Sequence, residues 1–96
     1  MKIRYTRRAS HDLESILSYI GRDDMIAAER VRRAIVATIK MVSLRPYIGI
    51  RNARAPELRS RLVPRYPYRV HYAMRDQQIV VLHIRHGARA PWTGQP

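Results

Sequence analysis

The sequence has 96 residues, which suffice for one small domain. It contains no cysteine, and this excludes a disulfide framework and a cysteine-based zinc site. The net charge of +12 comes from 19 basic and 7 acidic residues, and all the basic ones except Lys2 and Lys40 are arginines. Because the arginine fork suits carboxylates and phosphates, we expect an anionic partner, either nucleic acid or an acidic protein segment.

The distribution of apolar residues argues against a membrane segment. No apolar run approaches the roughly 20 residues that are needed to cross a bilayer. Asp12 and Glu14 interrupt the stretch where the apolar core of a signal peptide would lie. We therefore expect a cytoplasmic protein that makes no contact with a membrane.

The first half of the chain predicts a strand followed by two helices. Residues 2–6 alternate as a short strand, and Thr6 can cap the helix that follows. One apolar stripe at helical spacing consists of Ala9, Leu13, Ile16, Leu17 and Ile20. Gly21 is placed to end this helix. Asp24 can cap a second helix that Pro46 ends, and its apolar face consists of Ala28, Val31, Ile35, Thr38, Ile39 and Val42. The short link between the helices predicts an antiparallel hairpin over residues 7–44.

From residue 57 the apolar period changes to two, which is typical of strands. The last two strands carry apolar sets that we expect to share one buried face: Val70, Tyr72 and Met74 on the first, and Val80, Leu82 and Ile84 on the second. A connecting loop with an odd number of residues aligns these two sets, so burial should select it. We therefore predict an odd loop. The opposite, basic face would then carry Arg69, His71, Val81, His83 and Arg85.

The element order is β-α-α-β-β-β, which predicts an α+β fold. The helical hairpin would pack on one face of a small, mostly antiparallel sheet. We expect residues 1–96 to form a single domain. It would comprise a strand at 2–6, the helical hairpin at 7–44, the antiparallel sheet at 57–86 and a C-terminal tail at 87–96.

Several short motifs, in this order and spacing, resemble the RelE/ParE family of toxins. The first helix carries Ala9, Asp12-Leu13, Ile16 and Tyr19-Ile20, and the region after it carries Leu44, Pro46, Gly49 and Leu58-Arg59. The later strands carry Tyr66-Pro67-Tyr68-Arg69-Val70, Tyr72 and His86-Gly87-Ala88-Arg89. The resemblance covers residues 5–92, and the last motif is more similar to ParE-like members. A family member with this order of elements is expected to have the same α+β fold.

The resemblance implies a toxin of a type II toxin–antitoxin system, a class that includes plasmid stabilisation modules. It implies a cognate antitoxin, often acidic, that holds the toxin inactive and through which the complex binds operator DNA. ParE-like members poison DNA gyrase, which is the target that we expect here. The alternative is a RelE-like endonuclease that cuts mRNA in the ribosome. The resemblance implies no cofactor.

The resemblance also suggests roles for individual residues. For the nuclease alternative, the residues that match the family's catalytic positions are Arg59, Arg61, Arg69, His86 and Arg89. His86 would be the candidate for proton transfer. For gyrase poisoning, the residues that we expect to contact the target or to carry toxicity are Arg69, Arg85, His86, Arg89 and Trp92. The residues that we expect to contact an acidic antitoxin are Arg59, Arg61, Arg69, His83 and Arg85.

Three further interpretations follow from the residues alone. His71 and His83 are possible cross-strand neighbours, but no third ligand is evident, so we expect no metal site. Trp92 can either bind a partner or fold back onto the sheet. A non-catalytic nucleic-acid-binding module is a second alternative, although neither predicted helix presents one concentrated basic face.

Overall fold

Two helices and five strands make up the part of the chain that the computed structural model describes, which is residues 1–87, 92 and 94. In chain order these elements are β1 (Lys2–Tyr5), α1 (Arg7–Gly21), α2 (Met25–Leu44), β2 (Ile50–Arg51), β3 (Leu58–Leu62), β4 (Tyr68–Arg75) and β5 (Gln78–His86). Arg89, one of the residues predicted for the site, lies outside the described residues.

Both helices begin at the side chains that the sequence predicts as caps. The Thr6 hydroxyl accepts a hydrogen bond of 3.1 Å from the backbone N–H of Ala9. An Asp24 carboxylate oxygen accepts one of 2.9 Å from the N–H of Ala27. Each bond satisfies a backbone donor in the first turn, which has no partner within the helix itself. The helix boundaries therefore follow from local chemistry.

The strands form one sheet in the order β1-β5-β4-β3-β2, in which only β1 and β5 run parallel. The helices cover one face of this sheet and enclose the core with it. The core includes Ile35 and Ile39 of α2, and Tyr72, Val81 and Ile84 of the sheet. The predicted α+β arrangement is confirmed. Strand β2 was not predicted because it has only two residues, which form a ladder with β3.

The prediction of an odd loop between β4 and β5 is wrong. Only Asp76 and Gln77 lie between the paired residues Arg75 and Gln78, and both have positive φ, at 50° and 58°. Positive φ at both central residues is the geometry of the type I′ hairpin turn, which matches the twist of the flanking strands. A two-residue turn by itself would put the wrong side chains of β5 against the helices.

A β-bulge in β5 corrects the alignment. His71 pairs with His83 and Tyr72 pairs with Val81, so Leu82 has no opposite residue. Between the turn and the bulge, Val81 therefore faces the helices and Val80 faces away from them, the reverse of the prediction. Beyond the bulge, Ile84 faces the helices as predicted.

A buried tyrosine joins the loop after α2 to the sheet. The Tyr72 hydroxyl donates a hydrogen bond of 2.7 Å to the carbonyl of Pro46 and accepts one of 3.0 Å from the N–H of Gly49. A Cβ at Gly49 would lie 2.5 Å from that hydroxyl oxygen and 2.9 Å from the carbonyl oxygen of Ser60. Only glycine allows so close an approach, which gives a physical reason for the pattern of Pro46, Gly49 and Tyr72.

No helix within the described residues combines the length and the apolar character that a membrane span requires.

Replacing Tyr72 by Phe should lower the free energy of unfolding by about 1–3 kcal/mol, because it leaves the buried Gly49 N–H without its acceptor. Urea denaturation at neutral pH measures the change. Tyr19→Phe is the matched control, since Tyr19 is 72% exposed and its loss of a hydroxyl should change little. Equal midpoints for the two variants would show that the Tyr72 hydroxyl does not stabilise the loop.

Candidate functional site

The face of the sheet opposite the helices carries two arginines in direct opposition. Arg69 of β4 and Arg85 of β5 are cross-strand partners, and the Arg69 guanidinium donates a hydrogen bond of 3.0 Å from Nη1 to the Ser60 hydroxyl. Like charges in directly opposite positions destabilise a sheet. No described carboxylate forms an ion pair with either arginine. This face, here called the open face, therefore offers uncompensated positive charge to an anion.

Next to the arginines lies a pair of stacked histidines. The rings of His71 and His83 are 5.9 Å apart between centroids and inclined by 25°. Both side chains are buried, in part by Trp92, whose ring packs edge-on against His71 at 4.9 Å and against His83 at 5.1 Å. Of the two interpretations of Trp92, the structure shows the tryptophan folded back onto the sheet.

His83 is held from both of its ring nitrogens. Its Nε2 lies 3.3 Å from Nη2 of Arg8, and its Nδ1 lies 2.6 Å from Oδ2 of Asp12. Arginine can only donate, so Nε2 must accept, and Nδ1 therefore carries the proton that it donates to Asp12. The imidazole is thus neutral in this arrangement. Burial, together with the charges of Arg8 and Arg85, lowers the pKa of His83 although its contact with Asp12 raises it, which agrees with a neutral ring.

Asp12 also completes the backbone hydrogen bonding of β5. Strand β1 pairs with β5 only as far as Val81, after which the N–H of Thr6 donates to the Val81 carbonyl. Beyond that point the N–H of Ile84 has no partner strand on this edge, and it donates to Oδ2 of Asp12 at 3.0 Å. A buried N–H without an acceptor is costly, so Asp12 has a structural role at this edge.

The open face forms one wall of a groove of about 430 Å³. The groove is lined by Arg54, Arg69, His71, Arg85, Trp92 and neighbouring residues, and no acidic side chain within the described residues lines it. Asn52 closes one end, where its amide donates a hydrogen bond of 2.8 Å to the backbone carbonyl of Trp92. The groove is therefore both basic and partly aromatic.

The structure separates the arginines that were predicted to act together. Arg59 pairs with Tyr72 and Arg61 pairs with Val70, so both lie on the helix side of the sheet, away from Arg69. Arg59 donates to the carbonyl of Gly49 at 3.0 Å and packs over the ring of Tyr47. The five-residue nuclease set and the antitoxin-binding set are therefore each divided between two faces.

The remaining predicted residue that the structure describes, His86, lies beside the groove. His86, at the end of β5, packs edge-on against Tyr68 with 6.2 Å between the ring centroids. It also contributes to the groove lining. Within the described residues, no group of three histidine, cysteine or acidic side chains is placed to hold a metal ion.

Sequence reasoning missed Arg8, Asp12 and Asn52 as neighbours of the open face. Asp12 was noted only as part of the Asp12-Leu13 motif. Its position six residues after Thr6, nearly two helical turns, gave only a weak signal, because the Ile84 N–H that donates to it is 72 residues away. The sequence offered no signal for Asn52, because its hydrogen-bond partner, Trp92, is 40 residues away along the chain.

The matched family model is described as the ParE toxin of a type II toxin–antitoxin system, parDE, and it covers residues 3–91. The chain belongs to this family. Sequence comparison with curated proteins gave no significant match.

Two solved structures share the fold. One is from the chromosomal ParDE toxin–antitoxin system of P. aeruginosa, with 22% identity, a TM-score of 0.77 and coverage of 90% of this chain and 95% of that chain. The other is the isolated RelE toxin of E. coli, with 17% identity, a TM-score of 0.65 and coverage of 93% and 86%.

The histidine pair should make the free energy of unfolding decrease in mild acid. Burial, followed by the charges of nearby groups, lowers the pKa of His71 to about 4 from an ordinary value of 6.5. The unfolded chain therefore takes up a proton first, and the free energy of unfolding falls as the pH drops from about 6.5 to about 4.

Urea midpoints of the wild type and His71→Gln, measured at pH 7.5 and pH 5.0, test this expectation. The wild type should lose more stability on acidification than the variant does. Equal losses would show that His71 is not the group responsible.

Proposed function

We propose that this chain is a toxin that inhibits DNA gyrase and that a cognate acidic antitoxin holds it inactive. Membership of the ParE toxin family supports gyrase as the target. The observation that carries the proposal is the open face, on which Arg69 and Arg85 stand opposite each other without a carboxylate partner among the described residues. On this proposal the whole chain is one toxin domain that acts in the cytoplasm.

The two stacked histidines of the open face are poorly suited to catalysis. Cleavage of RNA requires groups that take a proton from the 2′-hydroxyl and give one to the leaving oxygen. His83 has both ring nitrogens engaged, and His71 is buried beside it with a lowered pKa. Arg59 and Arg61, which were predicted to share the catalytic site with Arg69, lie on the other side of the sheet.

The net charge of +12 supports the antitoxin half of the proposal. An acidic segment would neutralise arginines that repel one another in the free toxin. Binding of operator DNA would then occur through the antitoxin. This assignment needs no cofactor.

The decisive experiment incubates supercoiled plasmid, purified gyrase and ATP with this protein, and then denatures the enzyme before electrophoresis. Linear DNA that requires both proteins is the expected product, because a trapped gyrase complex holds cleaved DNA. Arg69→Ala and Arg85→Ala should each reduce its yield by about tenfold, which corresponds to about 1.4 kcal/mol of binding.

Arg22→Ala is the matched control, since Arg22 is an exposed arginine that follows α1, in the helical layer. It should leave the yield unchanged, and thermal unfolding establishes that all three variants are folded. Normal gyrase products with folded wild type, together with cut mRNA on translating ribosomes, would reject the gyrase assignment in favour of the nuclease.

A further inference from the structure

Negative charge is unevenly divided between the two layers of the molecule. The five strands, all of them within the described residues, contain no acidic residue, although the sequence has seven. Five of the seven lie in α1, in α2 or in the link between them: Asp12, Glu14, Asp23, Asp24 and Glu29. An anion that approaches the molecule is therefore attracted to the open face and away from the helical layer.

The strand register places a second group of cations on the open face, at the end that lies opposite the groove. Arg75 is the last residue of β4, and it faces the same side as Arg69 because the two are six residues apart on one strand. Lys2 lies in the same row, since Lys2 and Arg75 both pair with Gln78. Arg4 is two residues further along β1 and faces the same side. These three exposed cations, Lys2, Arg4 and Arg75, are called here the turn cluster.

The groove holds the other group of cations, namely Arg54, Arg69 and Arg85, which are called here the groove cluster. On β4, Arg69 and Arg75 are separated by about 20 Å, since a strand rises roughly 3.4 Å per residue. Within the described residues, no carboxylate forms an ion pair with any member of either cluster. The open face therefore carries uncompensated positive charge at both of its ends.

The centre of the open face, between the two clusters, offers little apolar surface to a partner. Leu58, Ala73 and Val80 lie side by side there, and all three are buried. Trp92 packs on the neighbouring histidine rings, and a Cβ built on Gly94 would lie 2.9 Å from Cδ1 of Leu58. Residues of the chain's own C-terminal segment thus cover part of this centre.

Exposed apolar side chains of the open face lie beside the groove cluster rather than between the two clusters. Ile50 pairs with Ser60, and Leu62 pairs with Arg69, so they are on β2 and β3, to one side of the face. The core of a protein–protein interface is apolar and depleted in charge, whereas interfaces with DNA are more polar and strongly positive. The open face therefore fits DNA better than it fits a protein surface.

The surroundings of Trp92 favour a duplex over a single strand. Proteins that bind single strands stack the bases on the faces of aromatic rings. The Trp92 ring packs edge-on against two histidines, and the Arg8 guanidinium lies over it, 5.9 Å from the ring centroid. A base therefore has no open aromatic platform at this tryptophan. The cations of the two clusters can contact phosphates without reading the sequence.

We propose that the open face binds the phosphate backbone of duplex DNA without sequence preference, and that both clusters contact the same duplex. A segment of duplex about 20 Å long carries about twelve phosphate charges, which is ample for the six cations of the two clusters. When the protein acts on gyrase, the open face then contacts the DNA that the enzyme holds. Only this last statement rests on the gyrase inhibition that is proposed above.

Fluorescence anisotropy of a labelled duplex of about 20 base pairs tests DNA binding in the absence of gyrase. Arg75→Ala and Arg69→Ala, one from each cluster, should each weaken binding about fivefold at about 0.1 M salt and lower the steepness of its salt dependence by about one charge. Arg22→Ala removes the same charge from the helical layer and should change binding by less than about twofold. All three variants should keep the wild-type thermal midpoint.

Several results would overturn DNA binding by the open face. Equal losses for Arg75→Ala and Arg22→Ala would reduce the effect to net charge. Tighter binding of a single strand of the same sequence would assign the face to single-stranded nucleic acid. Polyglutamate that displaces the duplex at an equal concentration of charge would assign the face to an acidic protein segment. A difference of more than about tenfold between two unrelated duplexes would reject recognition through the backbone alone.

The contact with DNA in the gyrase complex has a separate test. Immobilised gyrase should retain the wild type about fivefold more tightly with bound plasmid than without it, and Arg75→Ala should lose this gain. In the plasmid cleavage assay, Arg75→Ala should reduce the yield of linear DNA as Arg69→Ala does. Equal retention of the wild type without DNA, abolished by Arg69→Ala, would show that the open face binds the enzyme itself.

Failure of DNA binding and failure of the proposed function give different results. If the wild type does not bind the duplex but yields linear DNA with gyrase, only DNA binding by the open face is rejected. If it binds the duplex and no linear DNA forms, gyrase inhibition is rejected together with the contact in the gyrase complex. Binding of free duplex DNA by the two clusters would then still stand.

Discussion

One unpaired residue in β5, Leu82, determines which side chains of the sheet meet the helices and which form the open face. The two-residue turn at Asp76 and Gln77 suits the twist of the hairpin, but on its own it would turn Ile84 away from the core. The bulge shifts the register by one residue, so that the core is apolar on both sides of it. The same shift brings His83 opposite His71 and Arg85 opposite Arg69. Core packing and the composition of the open face therefore depend on a single irregularity.

Asp12 stabilises the strand just beyond that irregularity. Strand β1 covers β5 only up to the bulge, and the edge beyond it would otherwise expose the N–H of Ile84. One carboxylate oxygen accepts from this N–H and from the ring of His83. Because Arg8 engages the other ring nitrogen, α1 orients the histidine against which Trp92 packs. The first helix thus contributes to the open face although it belongs to the opposite layer.

The sequence predicted the elements that local chemistry determines, and it failed where distant contacts decide. Helix starts follow from Thr6 and Asp24, whose caps need only neighbouring residues. The bulge could not be predicted from the sequence, because Val80 and Val81 are adjacent and either of them could face the core. The resemblance grouped Arg59 and Arg61 with Arg69, although β3 turns them towards the helix side. Alternation shows that two faces differ, but only packing shows which face is which.

The division of charge between the two faces bears on the stability of the free toxin. Within the described residues, Glu29 forms ion pairs with Arg32 and Arg33, whereas Asp12 contacts a neutral His83 ring. A chain with net charge +12 therefore folds against considerable self-repulsion. A ligand that binds only the folded state adds stability in proportion to the logarithm of its concentration relative to Kd, or about 2.7 kcal/mol at a hundredfold excess. An acidic antitoxin would thus neutralise the toxin and at the same time stabilise it. A strongly basic surface that is poorly stabilised alone would thus gain most from an acidic ligand.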